Sequence, residues 1–273
     1  MTPDYFGSPA ISSSDIAGVK SVVEFYQRKF INPKVRRDYF DIGTACHAFI
    51  LEPETFNTDV KVFKDFPEPD KINKDGTVSK TGANGKAFDA FKELHKDKIV
   101  FEQTTFDNVL SYAQSIKNIP GFDNLIDLSK GIAEHTFYTK DDPTGLDIKL
   151  KPDYIKPGKY ILDLKFMAKV NDFEIAKSFK EYEYHLRAAF YLDFYNQLSD
   201  DKIKNFIYVC VEKSDNPRSR ILNLSEIDIN AGRGMYRDKL DAIAKCMHSG
   251  EWIESSIEHY KLPEWVYQNN FNF

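Results

Sequence analysis

Three residues near the middle of the chain have the types and spacing to do chemistry. They are Asp153 in LKPDYI, and Asp163 and Lys165 in YILDLKF. Side chains of a strand alternate between two faces. Leu162, Leu164 and Phe166 therefore point one way, and Ile161, Asp163 and Lys165 the other. The same period in KLKPDYI puts Lys149, Lys151 and Asp153 on one face. Between the two stretches stands Lys156-Pro157-Gly158-Lys159, a turn signal, since Pro presets φ and Gly accepts φ > 0. A hairpin then brings two carboxylates and a lysine onto one surface. Two close carboxylates repel unless a cation lies between them. Oxygen ligands of this kind suit a hard ion, Mg²⁺ or Mn²⁺. The lysine is placed to orient a water or to stabilise a charged transition state, the arrangement of a metal-dependent phosphodiesterase. An isolated Asp-x-Lys pair is usually just a solvated face. Here Asp163 sits within Tyr-Ile-Leu-Asp-Leu-Lys-Phe, and a charge inside so apolar a strand is rare unless it is paired or binds metal.

Other candidates carry less weight alone. His47 follows Gly43-Thr44-Ala45-Cys46 on an expected helix, where a single histidine is more often structural. Glu134 lies in an expected strand just before the acidic hairpin, where a lone glutamate is usually exposed. Tyr184 and His185, at helical spacing among aromatics, read first as core.

The elements that must position these residues are legible in outline. ISSSD offers an N-cap to a helix whose apolar rhythm runs through Val19, Val22, Val23, Phe25 and Tyr26. FDIGTACHAFILEPETF reads as a second helix ending at Pro53. Residues 64–85, rich in Lys, Asp, Gly and Pro, read as an exposed loop. Helical patterns resume at 86–97 and 103–117. GIAEHTFYT, GLDIKLKPDYI and KYILDLKF are three strand candidates in a row, and 171–198 is helix-rich. KNFIYVCVEK and SRILNL are strands, and a long helix follows, capped by Ser225 and ending near Gly250. The expected fold is one α/β domain over 1–273, a mixed central sheet flanked by helices. Its N-terminal part, about 11–127, is helical, and its catalytic sheet and helices span about 131–250.

Composition narrows the class. The 273 residues are 42% hydrophobic, enough for a substantial core. No run of about 18 apolar residues occurs, so no transmembrane helix is expected. The first residues lack the basic-then-apolar pattern of a signal peptide. Cys46, Cys210 and Cys246 are scattered and in no CxxC spacing, which points to a reducing cytoplasm and against a zinc site or a disulfide framework. The net charge of −5 shows no global basic footprint for nucleic acid, although a local basic channel remains compatible with it.

Taken in order, ISSSD, GTACHAFILEPETF, a strand glutamate, KPDYI, ILDLK and YHLRAAFYLDFY resemble the catalytic domain of exonuclease VIII, the RecE nuclease, from about residue 11 to about residue 250. That places the chain beside lambda exonuclease and the RecB nuclease domain among the PDDEXK-like nucleases. The resemblance implies Mg²⁺-dependent, processive 5′→3′ digestion of linear double-stranded DNA by a ring-shaped homo-oligomer. Such digestion leaves a 3′ single strand, so a strand-annealing protein is an implied partner in phage-type recombination. The resemblance assigns His47, Glu134, Asp153 and Asp163 to the metal shell, with the Leu164 carbonyl as an additional ligand. It assigns Lys165 as the catalytic lysine, Ser12 and Ser14 to a terminal 5′-phosphate, and Lys151 to the scissile strand.

Two departures stand out. Relatives carry Gln-x-x-x-Tyr in the helix after the hairpin, whereas here Arg187 replaces Gln and Tyr191 is retained. Arginine only donates, so it suits a phosphate clamp, or pairing with Glu134 or Asp153 in the absence of metal. The usual Asp-x-Lys-Thr-Thr reads Asp163-Leu164-Lys165-Phe166-Met167 here. The rival readings are a weakened DNA-binding or assembly module of the same fold, and a RecB-like helicase-associated nuclease. Many of the latter hold an iron–sulfur cluster through four cysteines, and with three here no cluster is expected.

Overall fold

The computed structural model describes residues 5, 7–32, 39–63 and 83–253. The loop expected at 64–85 lies almost wholly outside them. In chain order the elements are α1 (Ser13–Ile16), α2 (Val22–Tyr26, continued by a π turn over Gln27–Ile31), α3 (Tyr39–Leu51), α4 (Pro53–Asp59) and β1 (Val60–Phe63). Next come α5 (Ala83–Leu94), β2 (Ile99–Glu102), α6 (Gln103–Lys117), α7 (Phe122–Leu125), β3 (Ile132–Ala133) and β4 (Phe137–Lys140). The remainder is β5 (Asp147–Leu150), β6 (Tyr154–Lys156), β7 (Tyr160–Met167), α8 (Asp172–Tyr182), α9 (Tyr184–Leu198), β8 (Asn205–Glu212), β9 (Ser219–Asn223) and α10 (Glu226–Ser249).

The central sheet has the order β3-β6-β7-β8-β9 and is mixed. β7 and β8 are parallel, which requires a crossover, and α8 with α9 supplies it. The other pairs are antiparallel. β6 and β7 form the expected hairpin, with Lys156 opposite Tyr160 and Gly158 at φ +68 in the turn. The alternation in β7 divides two cores. Leu162 and Leu164 join Val209, Val211 and the α3 and α6 residues Ala45, Cys46 and Val109 on one side. Ile161 joins Phe206, Tyr208, Cys210 and the α9 residues Leu186, Ala189 and Phe190 on the other. Helices thus cover both faces, as expected for an α/β domain.

Several sequence expectations change. The first helix is two, because Gly18 takes φ +67 and ends the run after α1. Pro53 does not close a helix but opens α4, at a position where its missing N–H costs nothing. GIAEHTFYT is not one strand: β3 and β4 belong to different sheets, separated at Glu134, whose φ is +48. GLDIKLKPDYI likewise divides into β5 and β6 at Pro152, which has no N–H for a ladder. Lys149 therefore does not share a face with Asp153. It is buried, and its ammonium donates to the Tyr5 and Ser8 carbonyls at 2.6 and 2.9 Å. The N-terminal part is not purely helical, since β1 and β2 form a parallel pair. Among the described residues no helix is long and apolar enough to cross a membrane.

Candidate active site

Glu134, Asp153 and His47 come from three elements and meet at the middle of β7. Gly131 allows the first approach: a Cβ there would lie 2.2 Å from the Tyr154 ring. That ring is pinned by its hydroxyl, which donates to the Asp127 carbonyl at 3.0 Å. The backbone then turns through the left-handed conformation of Glu134, whose N–H donates to the Asp153 carbonyl at 3.0 Å. The Asp153 carboxylate accepts from the Leu164 N–H at 2.7 Å, so the side chain reaches over β7. His47, on α3, lies on the same strand with Nε2 3.2 Å from the Leu164 carbonyl.

A carbonyl can only accept, so Nε2 carries a proton and donates to it. Nδ1 then faces the carboxylates, 3.6 Å from Glu134 Oε1 and 3.4 Å from Asp153 Oδ2. One ligand atom from each of His47, Glu134 and Asp153 lies within 4.8 Å of the others. Their chemistry, one imidazole nitrogen and two carboxylates with the imidazole held by a backbone carbonyl, fits a divalent cation.

The electrostatics are those of charges kept from water. Burial and the nearby Asp163 charge push the Asp153 carboxyl up to about 7. Burial disfavours a charged His47, but the Asp153 and Glu134 carboxylates outweigh it and hold the imidazole above its usual value. Burial would also raise Glu134, yet His47 and Lys151 hold it below the ordinary carboxylate range. Lys151 Nζ is 2.6 Å from Glu134 Oε2.

Asp163 and Lys165 come from β7 itself, with Asp163 opposite Asp153 in the extended hairpin register, and their side chains form a close ion pair. Lys165 Nζ is also 3.3 Å from the Leu164 carbonyl. Burial opposes the ammonium, but Asp163 and Asp153 keep it above its usual value. The Leu164 peptide is thus shared, with its N–H on Asp153 and its carbonyl reached by His47 and Lys165.

The remaining sequence candidates fall around this centre with different employment. Arg187 does not pair with Glu134 or Asp153, which are taken by Lys151 and His47. Its guanidinium lies 5.9 Å from the Tyr184 ring centroid, with Nε buried and unbonded. The Tyr191 hydroxyl reaches the Lys151 carbonyl at 3.4 Å, and burial drives its phenol well above the ordinary range. Ser12 caps α1: its N–H and hydroxyl both donate to Asp15 Oδ2 at 2.8 Å, and its hydroxyl is 2.9 Å from that of Ser14. His185 stands apart, with Nε2 2.9 Å from Met235 Sδ. Ser13 went unread in the sequence, and its hydroxyl is buried beside the Tyr191 phenol without an aligned hydrogen bond. Glu52 was also missed. It lines a cleft of about 920 Å³ beside His47, Glu134 and Lys151, and burial and the Glu134 charge raise its carboxyl. Its signal was its place five residues after His47, just past the end of α3, too loose to single out.

The mixed sheet, its helical layers and the acidic centre on β7 define a PDDEXK-like nuclease fold. Residues 25–260 match the family described as a PDDEXK-like domain of unknown function (DUF3799), and the chain belongs to that family. A crystal structure of a candidate exonuclease from Eubacterium rectale is similar in fold, with a TM-score of 0.60 at 14% identity, covering 94% of this chain and 96% of that one. No curated protein matches the chain. The narrower kinship with exonuclease VIII rests on the sequence motifs alone.

Proposed function

We propose that this chain is a metal-dependent exodeoxyribonuclease that digests linear double-stranded DNA from its ends, 5′→3′, using Mg²⁺ or Mn²⁺. The observation that carries the reading is the meeting of His47, Glu134 and Asp153 within 4.8 Å beside Asp163 and Lys165, in a PDDEXK-like fold. His47, Glu134 and Asp153 would hold the cation, with Asp163 as a further ligand, and the Leu164 carbonyl would join them only by giving up its bonds from His47 and Lys165. When bound, the cation supplies Lewis acidity to phosphodiester hydrolysis.

The chain's own residues do the rest. The Lys165 ammonium stabilises the charge that develops on the phosphate in the transition state. Lys151 contacts the scissile strand, and Arg187 clamps a phosphate. Ser12 and Ser14 receive the terminal 5′-phosphate, and Tyr191, whose hydroxyl reaches the Lys151 carbonyl, belongs to the same DNA-binding set. A ring-shaped homo-oligomer would confine positive charge to a channel despite the net charge of −5. The 3′ strand left behind suits a single-strand annealing protein, in the cytoplasm of a host cell and in phage-type recombination.

The test is incubation with linear, nicked and closed circular duplexes in Mg²⁺ or EDTA. Loss of the linear duplex alone, and only with Mg²⁺, is the expected result. Cleavage of closed circles would point to an endonuclease, and no cleavage of any substrate would refute the reading.

A further inference from the structure

Lys165 is nearly buried, and its ion pair with Asp163 accounts for only one side of the ammonium. On another side stand two tyrosine rings. Lys165 Nζ lies 5.4 Å from the centroid of Tyr184 and 5.8 Å from that of Tyr208. Both distances are inside the roughly 6 Å over which an aromatic face attracts a cation. We infer that Tyr184 and Tyr208 form a two-ring seat that fixes the Lys165 ammonium for phosphodiester cleavage. They are positioning residues for that lysine, and the inference rests on the function proposed above.

The seat is built rigidly. Tyr208, on β8, is paired with Asp163 in the parallel register and is fully buried. Its hydroxyl donates to the Tyr184 carbonyl at 2.7 Å. Tyr184 opens α9 directly after Glu183, which adopts φ +49. A non-glycine residue holds that conformation only where its surroundings enforce it. Here the Glu183 carboxylate accepts from Lys239 Nζ at 2.6 Å and from the Gly18 N–H at 2.9 Å. The two rings lie 5.4 Å apart, and Phe179 packs edge-on against both, at 5.3 and 5.2 Å. A lysine has four rotatable side-chain bonds and many rotamers to lose. An ion pair with Asp163 alone would follow that carboxylate wherever it turned, including toward a bound cation. The rings do not move with it. They hold the ammonium near the Leu164 carbonyl, where the function proposed above puts the reacting phosphate. The same Tyr184 ring is within reach of Arg187, so it links the two cations on this side of the site.

A cation held over a ring face has its neighbouring methylene protons shifted upfield, which gives a readout independent of catalysis. In the metal-free protein with labelled lysine ε-carbons, the Lys165 signal, assigned by its loss in Lys165→Ala, is expected upfield of the other lysines. Tyr184→Leu should move it part of the way back and Tyr184→Phe should not. Tyr184→Leu should lower kcat about ten-fold, the rate equivalent of one cation–π contact, with any loss of DNA affinity in EDTA smaller than that and no larger than in Arg187→Gln, and with rescue by Phe. A Lys165 signal among the ordinary lysines would overturn the seat before any tyrosine is replaced. Wild-type turnover by Tyr184→Leu beside an inactive Lys165→Ala would overturn it while leaving the proposed function standing. Wild-type turnover by Lys165→Ala would instead remove the catalytic role of the lysine, and the seat with it.

Discussion

The Asp153 carboxylate accepts the Leu164 N–H at 2.7 Å, tying the two strands of the acidic hairpin together through a side chain. That bond fixes where the carboxylate stands relative to β7, and His47 is fixed by the carbonyl of the same peptide. The candidate metal shell is therefore referenced to one peptide unit at the centre of the sheet. An asparagine at 153 can still accept this bond, so Asp153→Asn should remove the charge and keep the geometry.

Lys165→Ala should reduce turnover about 10²–10³-fold, the scale of losing one preorganised transition-state donor. DNA affinity should change far less. Single-turnover cleavage beside equilibrium binding in EDTA measures the two. Equal losses would make Lys165 a binding residue only.

The pH dependence follows from Asp153 and His47. With its carboxyl at about 7 instead of the ordinary 3.8, folded Asp153 holds its proton longer than the unfolded chain does. Its contribution to stability is full below the unfolded value and is lost as pH rises through about 7. His47, also raised, loses its contribution in the same direction. Glu134 is lowered, so its contribution changes only in acid. Without metal the Tm should fall from pH 6 to pH 8, by about 2–4 °C for each kcal/mol lost. Mg²⁺ competes with these protons, so it should raise Tm more at pH 8 than at pH 6. Thermal melts with Mg²⁺ and with EDTA check both statements, and a Tm independent of pH and Mg²⁺ would contradict them.

Arg187→Gln should keep substantial activity while weakening DNA binding and reducing the salt slope by about one, since one cationic phosphate contact is lost. Binding titrations across salt concentration read this directly. A gain from no activity to robust activity would instead mark the natural chain as a disabled nuclease and favour the binding-module reading.

Duplexes with a 5′-phosphate should be digested faster than those with a 5′-hydroxyl, through Ser12 and Ser14. Ser12 already donates to Asp15. Ser14→Ala should therefore erode the preference without disturbing the α1 cap, and equal rates on the two ends for the native chain would remove the pocket.

Much of this was legible because it is periodic or capped. The two faces of YILDLKF follow from a period of two, and the hairpin turn from Pro157-Gly158. Gln103–Lys117 and the last helix were read with their ends, the latter marked by Ser225 and Gly250. The strand break at Glu134 has no local signal, since a positive φ at a glutamate is held by contacts distant in sequence, here the bond of its N–H to Asp153, 19 residues away. The division at Pro152 is hidden, since the alternation of KLKPDYI looks continuous across it. Tyr184 and Tyr208 read as core, and they are; what no pattern could show is that their rings flank Lys165. The β1–β2 pair escaped because each strand is four residues long.

The central claim, that His47, Glu134 and Asp153 hold a catalytic divalent cation, is tested most directly by calorimetric titration of Mn²⁺ into the native chain and into Asp153→Asn, Glu134→Gln and Asp163→Ala. The native chain should bind Mn²⁺. Each variant should stay folded, bind more weakly by at least the roughly 10–100-fold typical of losing an outer-shell partner, and lose DNA cleavage in parallel. Native-like Mn²⁺ affinity and cleavage in Asp153→Asn and Glu134→Gln would contradict the account.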